Sequence, residues 1–386
     1  MATGTFIRRA MHRASWNVKR HRLEVKGRTK GFKPLRILAF RGYGTPHALH
    51  LSGRLLEQSG AVTDAVSAVA PAKRGTWLQN LRRTIRRFQS EEIPCARMRA
   101  TWQGRSAEFE TDREGYFRLV LPLEAPLPPG WHEVELEVLQ SLAGSGHTAR
   151  AEVLVPPVEA DFGIISDIDD TVIHSAVTNR LRMIRIVMFH DAHGRIPLPG
   201  VSAFLRALRQ GPSGKGFNPV FYVSRSPWNL YDLFTAFFAA HDLPRGPLFL
   251  RDLSWVNAPS QSLGLDQDKL SRIRRLLGLY PTMPFVLLGD SGQKDPEIYA
   301  QIVREHPGRI RAIYIRDVTK SRRRQIVQTL AASVREHDVP LLLESDTLDA
   351  AKHAVELGLI RPETLREIEG KERKDERENE TAPALA

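Results

Sequence analysis

Three aspartates stand close together at the end of an apolar run. The run is GIISDIDDTVIHS, residues 163–175, and the acids are Asp167, Asp169 and Asp170. Crowded carboxylates repel one another and raise each other's pKa unless a cation or a reaction calls for them. Alternate side chains of a strand point the same way, so Asp167 and Asp169 can reach one space beyond the strand. One can act as a nucleophile and the other as an acid and base, while a shared divalent cation relieves their repulsion.

Other residues able to do chemistry follow or precede later apolar runs. Ser224 comes after PVFYV, where a hydroxyl and exposed amides can hold a phosphoryl oxygen. Asp290 and Asp295, in LLGDSGQKDPEIY, offer the hard oxygen ligands that suit Mg²⁺. Lys269, in LDQDKLSRI, can neutralise a phosphate and a carboxylate nucleophile together. Each residue alone means little, but the order of acid pair, hydroxyl, lysine and acid pair is hard to explain as packing.

The elements that must position these residues alternate between strand and helix over residues 158–345. Dense runs such as FGIISDI, PVFYVSR and PFVLLGD are typical of strands buried on both faces of a parallel sheet. Helical patterns such as VSAFLRALRQ and PEIYAQIVREH lie between them. The alternation predicts an α/β domain with a doubly wound parallel sheet, in which ligands bind at the carboxyl ends of the strands.

The rest of the chain divides by composition. Residues 35–157 contain short alternating runs such as GYFRLVLP and WHEVELEV, which predict a small β-sandwich-like domain. A basic helical insertion is predicted near residues 73–92 of that domain. Residues 346–370 are predicted to form C-terminal helices, and the polar residues 371–386 to form a disordered tail.

The net charge of +12 is concentrated in two segments. Residues 1–34, the basic leader, hold ten Lys/Arg and one Glu, and residues 73–89 hold six Lys/Arg and no acid. The leader is predicted either to lie on an anionic membrane surface as an amphipathic helix or to be a disordered tail. The basic insertion either contacts the same kind of surface or packs on its own domain. Neither segment forms an aromatic-interleaved platform, so no nucleic-acid partner is expected.

Composition also predicts the compartment. The single cysteine, Cys95, excludes an internal disulfide and is typical of a reducing compartment. No run approaches the roughly 20 apolar residues that a membrane-spanning helix needs, and the N-terminus lacks the apolar segment of a secretory signal. We therefore expect a cytoplasmic protein that associates peripherally with membranes through its basic segments.

The motifs resemble those of a known enzyme family. DIDDT matches the DxDxT signature of haloacid-dehalogenase-superfamily phosphatases. More narrowly, SDIDDTV, YVSRSPWNLYD, DKLSRI and LLGDSGQKDPEIY resemble the actin-patch-type phosphatidate phosphatase family, including its bacterial members. The resemblance is strong from about Asp161 to Asp317 and looser over FRGYGTP, SGRLL and AAKHAVELGLI. It implies a catalytic domain of the haloacid-dehalogenase type.

The resemblance implies a role for each matching position. Asp167 is the nucleophile that forms an aspartyl-phosphate, and Asp169 protonates the leaving alcohol and then activates water. Thr171 orients the loop, while Ser224 and Lys269 hold phosphoryl oxygens. These roles are what the resemblance implies for the five positions.

The same resemblance implies a magnesium site. The ion is held by Asp167, by the main-chain carbonyl of Asp169 and by Asp290. Asp295 is either a further metal ligand or a neighbour that supports the ligands. Asp170 occupies the variable position of the signature, and we expect it at the surface or as a helix cap.

Two catalytic assignments have rivals nearby. Lys294, in the last motif, competes with Lys269 for the role of the lysine. Ser226 competes with Ser224, but its place before Pro227 favours a turn, whereas Ser224 is expected at the strand end.

The predicted function is the Mg²⁺-dependent hydrolysis of phosphatidate to diacylglycerol and phosphate. The segment between Thr171 and Ser224 looks too short for a full cap domain, which leaves the site open to a bulky lipid substrate. Two alternatives stay open: a phosphatase for a phosphoprotein or soluble phosphomonoester, and an inactive membrane-binding scaffold. The filled catalytic positions disfavour the scaffold.

Overall fold

The computed structural model describes seven stretches of the chain, which are residues 21–23, 25–29, 31–57, 92–168, 198–251, 265–318 and 321–381. Asp169 and Thr171 of the first motif lie outside these stretches, as do residues 1–20 of the leader and nearly all of the predicted basic helix. The described residues form two compact units, which meet in sequence between Val155 and Pro156.

The first unit is built from strands. Its described strands are β1 (Leu35–Thr45), β2 (Ala48–Glu57), β3 (Arg97–Trp102), β4 (Arg105–Glu110), β5 (Tyr116–Pro122), β6 (Gly130–Gln140) and β7 (Thr148–Val155). They form one sheet in the order β4-β3-β6-β7-β1-β2-β5, and neighbours are antiparallel except for β1 and β7. Buried and exposed residues alternate along β6, as a strand with one buried face requires.

This sheet curls around its own core. Its two edge strands, β4 and β5, approach each other. The ring centroids of Phe109 on β4 and Phe117 on β5 are 5.2 Å apart. Fully buried residues such as Leu49, Val134 and Val153 fill the interior. The described strands of the first unit therefore form one continuous curled sheet, and the predicted β-sandwich-like arrangement is not confirmed.

Parallel strands form the centre of the second unit. They are β8 (Gly163–Asp167), β9 (Val220–Pro227), β10 (Leu248–Arg251), β11 (Phe285–Asp290), β12 (Ile310–Arg316) and β13 (Leu341–Glu344). Their order is β10-β9-β8-β11-β12-β13, and every pair is parallel. All residues of β8 and β11 are buried, as in a sheet covered on both faces. The predicted doubly wound parallel sheet is confirmed.

The direction in which the strands are added reverses between β8 and β11. From β8 the chain builds outward through β9 to β10, and it then returns to β11 and builds outward on the other side. Ligands of such sheets bind outside the carboxyl ends of the strands at this reversal. Asp167 is the last residue of β8 and Asp290 is the last residue of β11, so the fold places both acids at the expected position.

Helices connect and cover the parallel strands. They are α1 (Val201–Gln210), α2 (Tyr231–Ala240), α3 (Leu265–Leu279), α4 (Asp295–Glu305), α5 (Ser321–Arg335), α6 (Thr347–Glu356) and α7 (Thr364–Thr381). Helix α4 begins with a proline in its first turn, where the fixed backbone angle of proline favours a helix start. Its buried residues include Ile298, Tyr299 and Ile302, which recur at helical spacing. No helix of the described stretches is long and apolar enough to cross a membrane.

Helix α7 continues to Thr381. The prediction of a disordered tail over residues 371–386 is therefore wrong for residues 371–381. Two acids in this stretch are buried and bonded to other parts of the unit. Glu372 accepts the N–H of Thr347 at 3.1 Å, and Asp375 accepts the N–H of Gly200 at 3.0 Å. These bonds fix the helix to the starts of α6 and α1, which the polar composition did not indicate.

Candidate active site

Asp167 ends strand β8 and is completely buried. It is paired with Val223 of β9, and the residue before it, Ser166, is paired with Leu288 of β11. The Ser166 hydroxyl donates to the Asp167 carbonyl oxygen at 2.8 Å, which fixes the main chain where the strand ends. The carboxylate therefore lies at the carboxyl edge of the sheet, between β9 and β11.

Lys269, from helix α3, lies between two of the buried carboxylates. Its Nζ is 2.8 Å from Asp167 Oδ1 and 2.6 Å from Asp295 Oδ1, and the lysine side chain is 1% exposed. Burial alone would lower the pKa of Lys269, but the two carboxylates hold that pKa well above its ordinary value. The ammonium also lies 5.7 Å from the ring centroid of Tyr299. Lys269 is therefore charged in the folded protein.

Asp167, Asp290 and Asp295 form a cluster of buried carboxylates. One oxygen of each residue lies within 4.8 Å of the others. Three ionised carboxylates and the Lys269 ammonium carry a formal charge of −2 together. Buried charge of this kind is costly unless a cation offsets it, and carboxylate oxygens are the ligands that Mg²⁺ prefers. The donor set therefore fits a divalent cation.

Gly289 allows Asp295 to approach the end of β11. A Cβ atom at position 289 would lie 2.6 Å from Asp295 Oδ2 and 2.8 Å from Tyr299 Cε2. Asp295 Oδ2 accepts the N–H of Asp290 at 3.4 Å, while its Oδ1 accepts from Lys269. Both oxygens of Asp295 are thus engaged by donors, which favours a role in holding Lys269 and the strand end over direct coordination of a cation.

The loop between β11 and α4 joins two of the clustered acids. The N–H of Gln293 donates to Asp290 Oδ1 at 2.8 Å, and its side-chain Nε2 is 3.5 Å from Asp167 Oδ2. Gln293 was not among the predicted site residues. The only local signal for Gln293 is its position between the two acids of the last motif, because an amide side chain is neither a nucleophile nor a usual ligand of Mg²⁺.

Ser224 lies on the neighbouring strand, one residue past the partner of Asp167. It is fully buried, and its hydroxyl oxygen accepts the N–H of Ser226 at 2.9 Å. The expectation that Ser224 ends its strand is wrong, because β9 continues to Pro227. Ser226, expected in a turn, lies within the strand and is buried as well.

Arg272 supports this part of the edge and was also missed. It lies one helical turn after Lys269 on α3, and its Nη1 donates to the carbonyl oxygens of Ser224 at 3.0 Å and Phe249 at 2.9 Å. One guanidinium nitrogen therefore ties β9, at Ser224, to β10, at Phe249. Helix α3 thus supplies both the buried lysine and a residue that fixes the neighbouring strands.

The structure brings together four of the predicted site residues, namely Asp167, Lys269, Asp290 and Asp295, and places Ser224 on the adjacent strand. Lys294, the rival of Lys269, is exposed at the start of α4. Asp169 and Thr171 lie outside the described residues, so their roles stay predictions.

The α/β unit that holds this site is similar to known proteins. Residues 162–317 match the family described as the catalytic domain of phosphatidate phosphatase APP1. The chain is 27% identical over 290 residues to "Phosphatidate phosphatase APP1" of Saccharomyces cerevisiae, and 30% identical over 263 residues to an uncharacterized protein of Schizosaccharomyces pombe. The resemblance to the actin-patch-type phosphatidate phosphatase family is confirmed over residues 162–317, whereas the haloacid-dehalogenase assignment stays a prediction.

The alignments are partial. They cover 72% and 63% of this chain, but 48% and 42% of the two yeast proteins. The chain therefore spans about half or less of the length of the curated relatives it matches. The activity of those longer proteins is therefore a proposal for this chain.

The solved structures that align with this chain are only weakly similar to it. A carbohydrate acetylesterase from Xanthomonas citri aligns with 76% of this chain and 72% of its own, at 13% identity and a TM-score of 0.26. A beta-glucuronidase from Parabacteroides merdae aligns with 80% of this chain and 39% of its own, at 10% identity and a TM-score of 0.25. Scores this low do not indicate a shared fold or activity.

Proposed function

We propose that the chain is a Mg²⁺-dependent phosphatidate phosphatase of the haloacid-dehalogenase superfamily, which hydrolyses phosphatidate to diacylglycerol and phosphate. The observation that carries the proposal is the buried group of Asp167, Lys269, Asp290 and Asp295 at the reversal point of the sheet, inside the matched segment. The group offers a carboxylate nucleophile, a fixed positive charge and oxygen ligands for a cation, which are the parts that phosphoryl transfer needs.

In the proposed mechanism the Asp167 carboxylate attacks the phosphorus of the bound lipid. The bond from phosphorus to the glycerol oxygen breaks, an aspartyl-phosphate forms, and Asp169 gives a proton to the leaving alcohol. Asp169 then takes a proton from a water molecule that attacks the aspartyl-phosphate. This second step releases inorganic phosphate and restores the Asp167 carboxylate.

Lys269 orients the nucleophile and stabilises the transferring group. Its contact with Asp167 holds that carboxylate in one position, while Asp295 holds the lysine on its other side. As negative charge spreads over the phosphoryl oxygens, the fixed ammonium remains beside them, and preorganised charge of this kind is the main source of catalysis in such sites. The Ser224 hydroxyl and the main-chain amides near it donate hydrogen bonds to a phosphoryl oxygen.

Magnesium completes the proposed site. Asp167 and Asp290, with the main-chain carbonyl of Asp169, would hold the ion, which neutralises charge on the transferring phosphoryl group when it is bound. The charge excess of the carboxylate cluster supports this assignment.

We also propose that the enzyme meets its substrate at an anionic membrane surface. The support is the clustering of basic residues in 1–34 and 73–89. Each basic residue near such a surface contributes roughly 1 kcal/mol. Attraction of this size would raise the local concentration of enzyme where a lipid phosphate is found, in the cytoplasm as the composition predicts.

A phosphate-release panel tests the proposed function. It compares phosphatidate in mixed micelles, a phosphopeptide and a soluble phosphomonoester, each with Mg²⁺ and with a chelator. We expect Mg²⁺-dependent release that favours phosphatidate, and a loss of at least about a thousandfold in Asp167→Asn with the circular dichroism spectrum unchanged. Preference for the peptide or the soluble ester would overturn the lipid assignment. Activity retained by Asp167→Asn would overturn the nucleophile.

A further inference from the structure

Arg323, on helix α5, holds the loop after β11 at several points. Its Nε donates to the carbonyl oxygen of Ser291 at 2.9 Å, and its Nη2 donates to the carbonyl oxygen of Gln293. Its Nη1 and Nη2 also pair with the two carboxylate oxygens of Glu297 in α4, with Nη2 at 2.7 Å from Oε2. The side chain is 22% exposed. Contacts on both edges of the planar fork fix the guanidinium in one orientation.

The loop held in this way carries groups of the candidate active site on its other side. Gln293, whose carbonyl oxygen accepts from Arg323, donates its own N–H to Asp290 and places its side-chain amide near Asp167. Asp295, two residues after Gln293, contacts Lys269. One residue therefore joins the arginine outside the site to the carboxylates inside it.

The charges of the pair are stable over the neutral pH range. Burial alone would raise the pKa of Glu297, but hydrogen bonds from Arg323 and from the main chain hold that pKa below its ordinary value. The hydrogen bond to Glu297 is the main reason why the pKa of Arg323 is raised. A lysine at position 323 would keep the charge but could not make the fork of parallel hydrogen bonds. The geometry, more than the charge, distinguishes arginine here.

Arg323 lies beyond the segment that carries the family match, which ends at residue 317. It stands in a run of arginines whose members differ in their contacts. Arg324 is more exposed and pairs with Asp317 at 2.5 Å. Contact with the loop after β11 is the feature that sets Arg323 apart from Arg324.

We propose that Arg323 is a positioning residue, which acts through Gln293 and Glu297 to hold Asp290, a proposed ligand of the divalent cation, and Asp295, which supports Lys269 and the strand end. The proposal rests on the proposed function for the reaction that the cation serves. Arg323 does not touch the reacting atoms. Its effect is on the affinity of the carboxylate cluster for the metal and, through it, on turnover.

The test compares Arg323→Lys and Arg323→Ala with a matched control, each in the 386-residue chain. The control is Arg274→Ala, because Arg274 makes a similar two-point pair with Glu305 at the other end of α4, with distances of 2.7 and 2.5 Å. Two measurements are independent of activity: calorimetric titration with Mg²⁺ and with Mn²⁺, and amide hydrogen exchange of residues 291–294. A third is kcat and KM for phosphatidate at limiting and at saturating Mg²⁺.

We expect both Arg323 variants to bind the metal about 10- to 100-fold more weakly, as loss of a residue supporting metal ligands usually causes. Exchange in residues 291–294 should be faster, kcat at limiting Mg²⁺ should fall, and excess Mg²⁺ should restore most of it. Arg274→Ala should match the wild type in metal affinity. Because Arg323→Lys keeps the charge and most of the volume, it serves as the folded variant if Arg323→Ala does not fold.

Several results would overturn the positioning role. These are a metal affinity of Arg323→Lys equal to that of the wild type, unchanged loop exchange, or an equal loss of affinity in Arg274→Ala. A wild-type chain that binds no divalent cation would overturn it too. If the wild type binds metal but releases no phosphate from any ester, the proposed function fails, and the metal titration of the variants still decides the role of Arg323.

Discussion

Glu372, on the C-terminal helix α7, links the stability of the α/β unit to pH. Its side chain is buried and accepts the N–H of Thr347 at 3.1 Å. Burial is the largest cause that raises its pKa, and a hydrogen bond to Asp346 and the charge of Asp346 add to it. Together they bring the pKa of Glu372 from its ordinary value of 4.5 to about 7.

The direction of the pH effect follows from where the proton is bound. Between pH 4.5 and about 7 the folded protein keeps a proton on Glu372 that the unfolded chain has lost. The stabilisation is therefore complete at low pH and is lost as the pH rises through the folded pKa. A difference of about 2.5 pKa units, at about 1.36 kcal/mol per unit, sets an upper limit of about 3 kcal/mol. Because Asp346 shares the interaction, we expect about 1–3 kcal/mol.

Glu372→Gln should remove this dependence. The amide is neutral at every pH, its oxygen can accept the N–H of Thr347, and its NH₂ group can donate to Asp346. We expect the variant to be more stable than the wild type by about 1–3 kcal/mol at about pH 8, and equally stable at about pH 4, which lies below the unfolded pKa of 4.5. Urea unfolding followed by far-ultraviolet circular dichroism, at both pH values, gives the two free energies of unfolding.

Glu367→Gln is the matched control, because Glu367 is an exposed acid on the same helix that pairs with Arg206. This variant should lose no more than about 0.5 kcal/mol, without a gain in stability at high pH. The account of Glu372 would be refuted if its glutamine variant were less stable than the wild type at high pH. The same difference at both pH values would refute it as well.

The remaining predictions concern the site and the leader. Gly289→Ala places a Cβ 2.6 Å from Asp295 Oδ2, so we expect urea unfolding to show a loss of about 1–3 kcal/mol and Mg²⁺ titration to show weaker binding. Wild-type values in both measurements would contradict the steric account. Removal of residues 1–34 should weaken sedimentation with anionic liposomes, and the difference should shrink as salt is raised. Unchanged sedimentation would exclude the leader from membrane contact.

The acids at the strand ends could be predicted because their signal is local. Asp167 and Asp290 each end an apolar run, and buried parallel strands leave runs of this kind in a sequence. Lys269 followed from the order of the motifs. Its contact with Asp167 joins residues 102 positions apart, and such a contact depends on the strand order, which the sequence pattern indicates only in outline.

The supporting residues could not be predicted because nothing local distinguishes them. Arg323 and Arg324 are neighbours of the same type, and only the packing of α5 against the loop after β11 separates their contacts. Asp375 lies in a stretch whose composition is typical of disorder, yet it accepts a hydrogen bond from Gly200, 175 positions earlier. Composition averages over a segment and does not register two acids that the fold buries.

The edge strand β13 of the parallel sheet determines where the α/β unit can be cut for expression on its own. The matched segment ends at residue 317, but strand β13 pairs with β12 from Ile313–Leu341 to Arg316–Glu344. A gene fragment cut at the end of the match would leave β12 as a bare apolar edge, and exposed edges of this kind recruit other chains. Expression that begins just after Val155 and continues through helix α7 keeps that edge covered and retains the bond to Gly200.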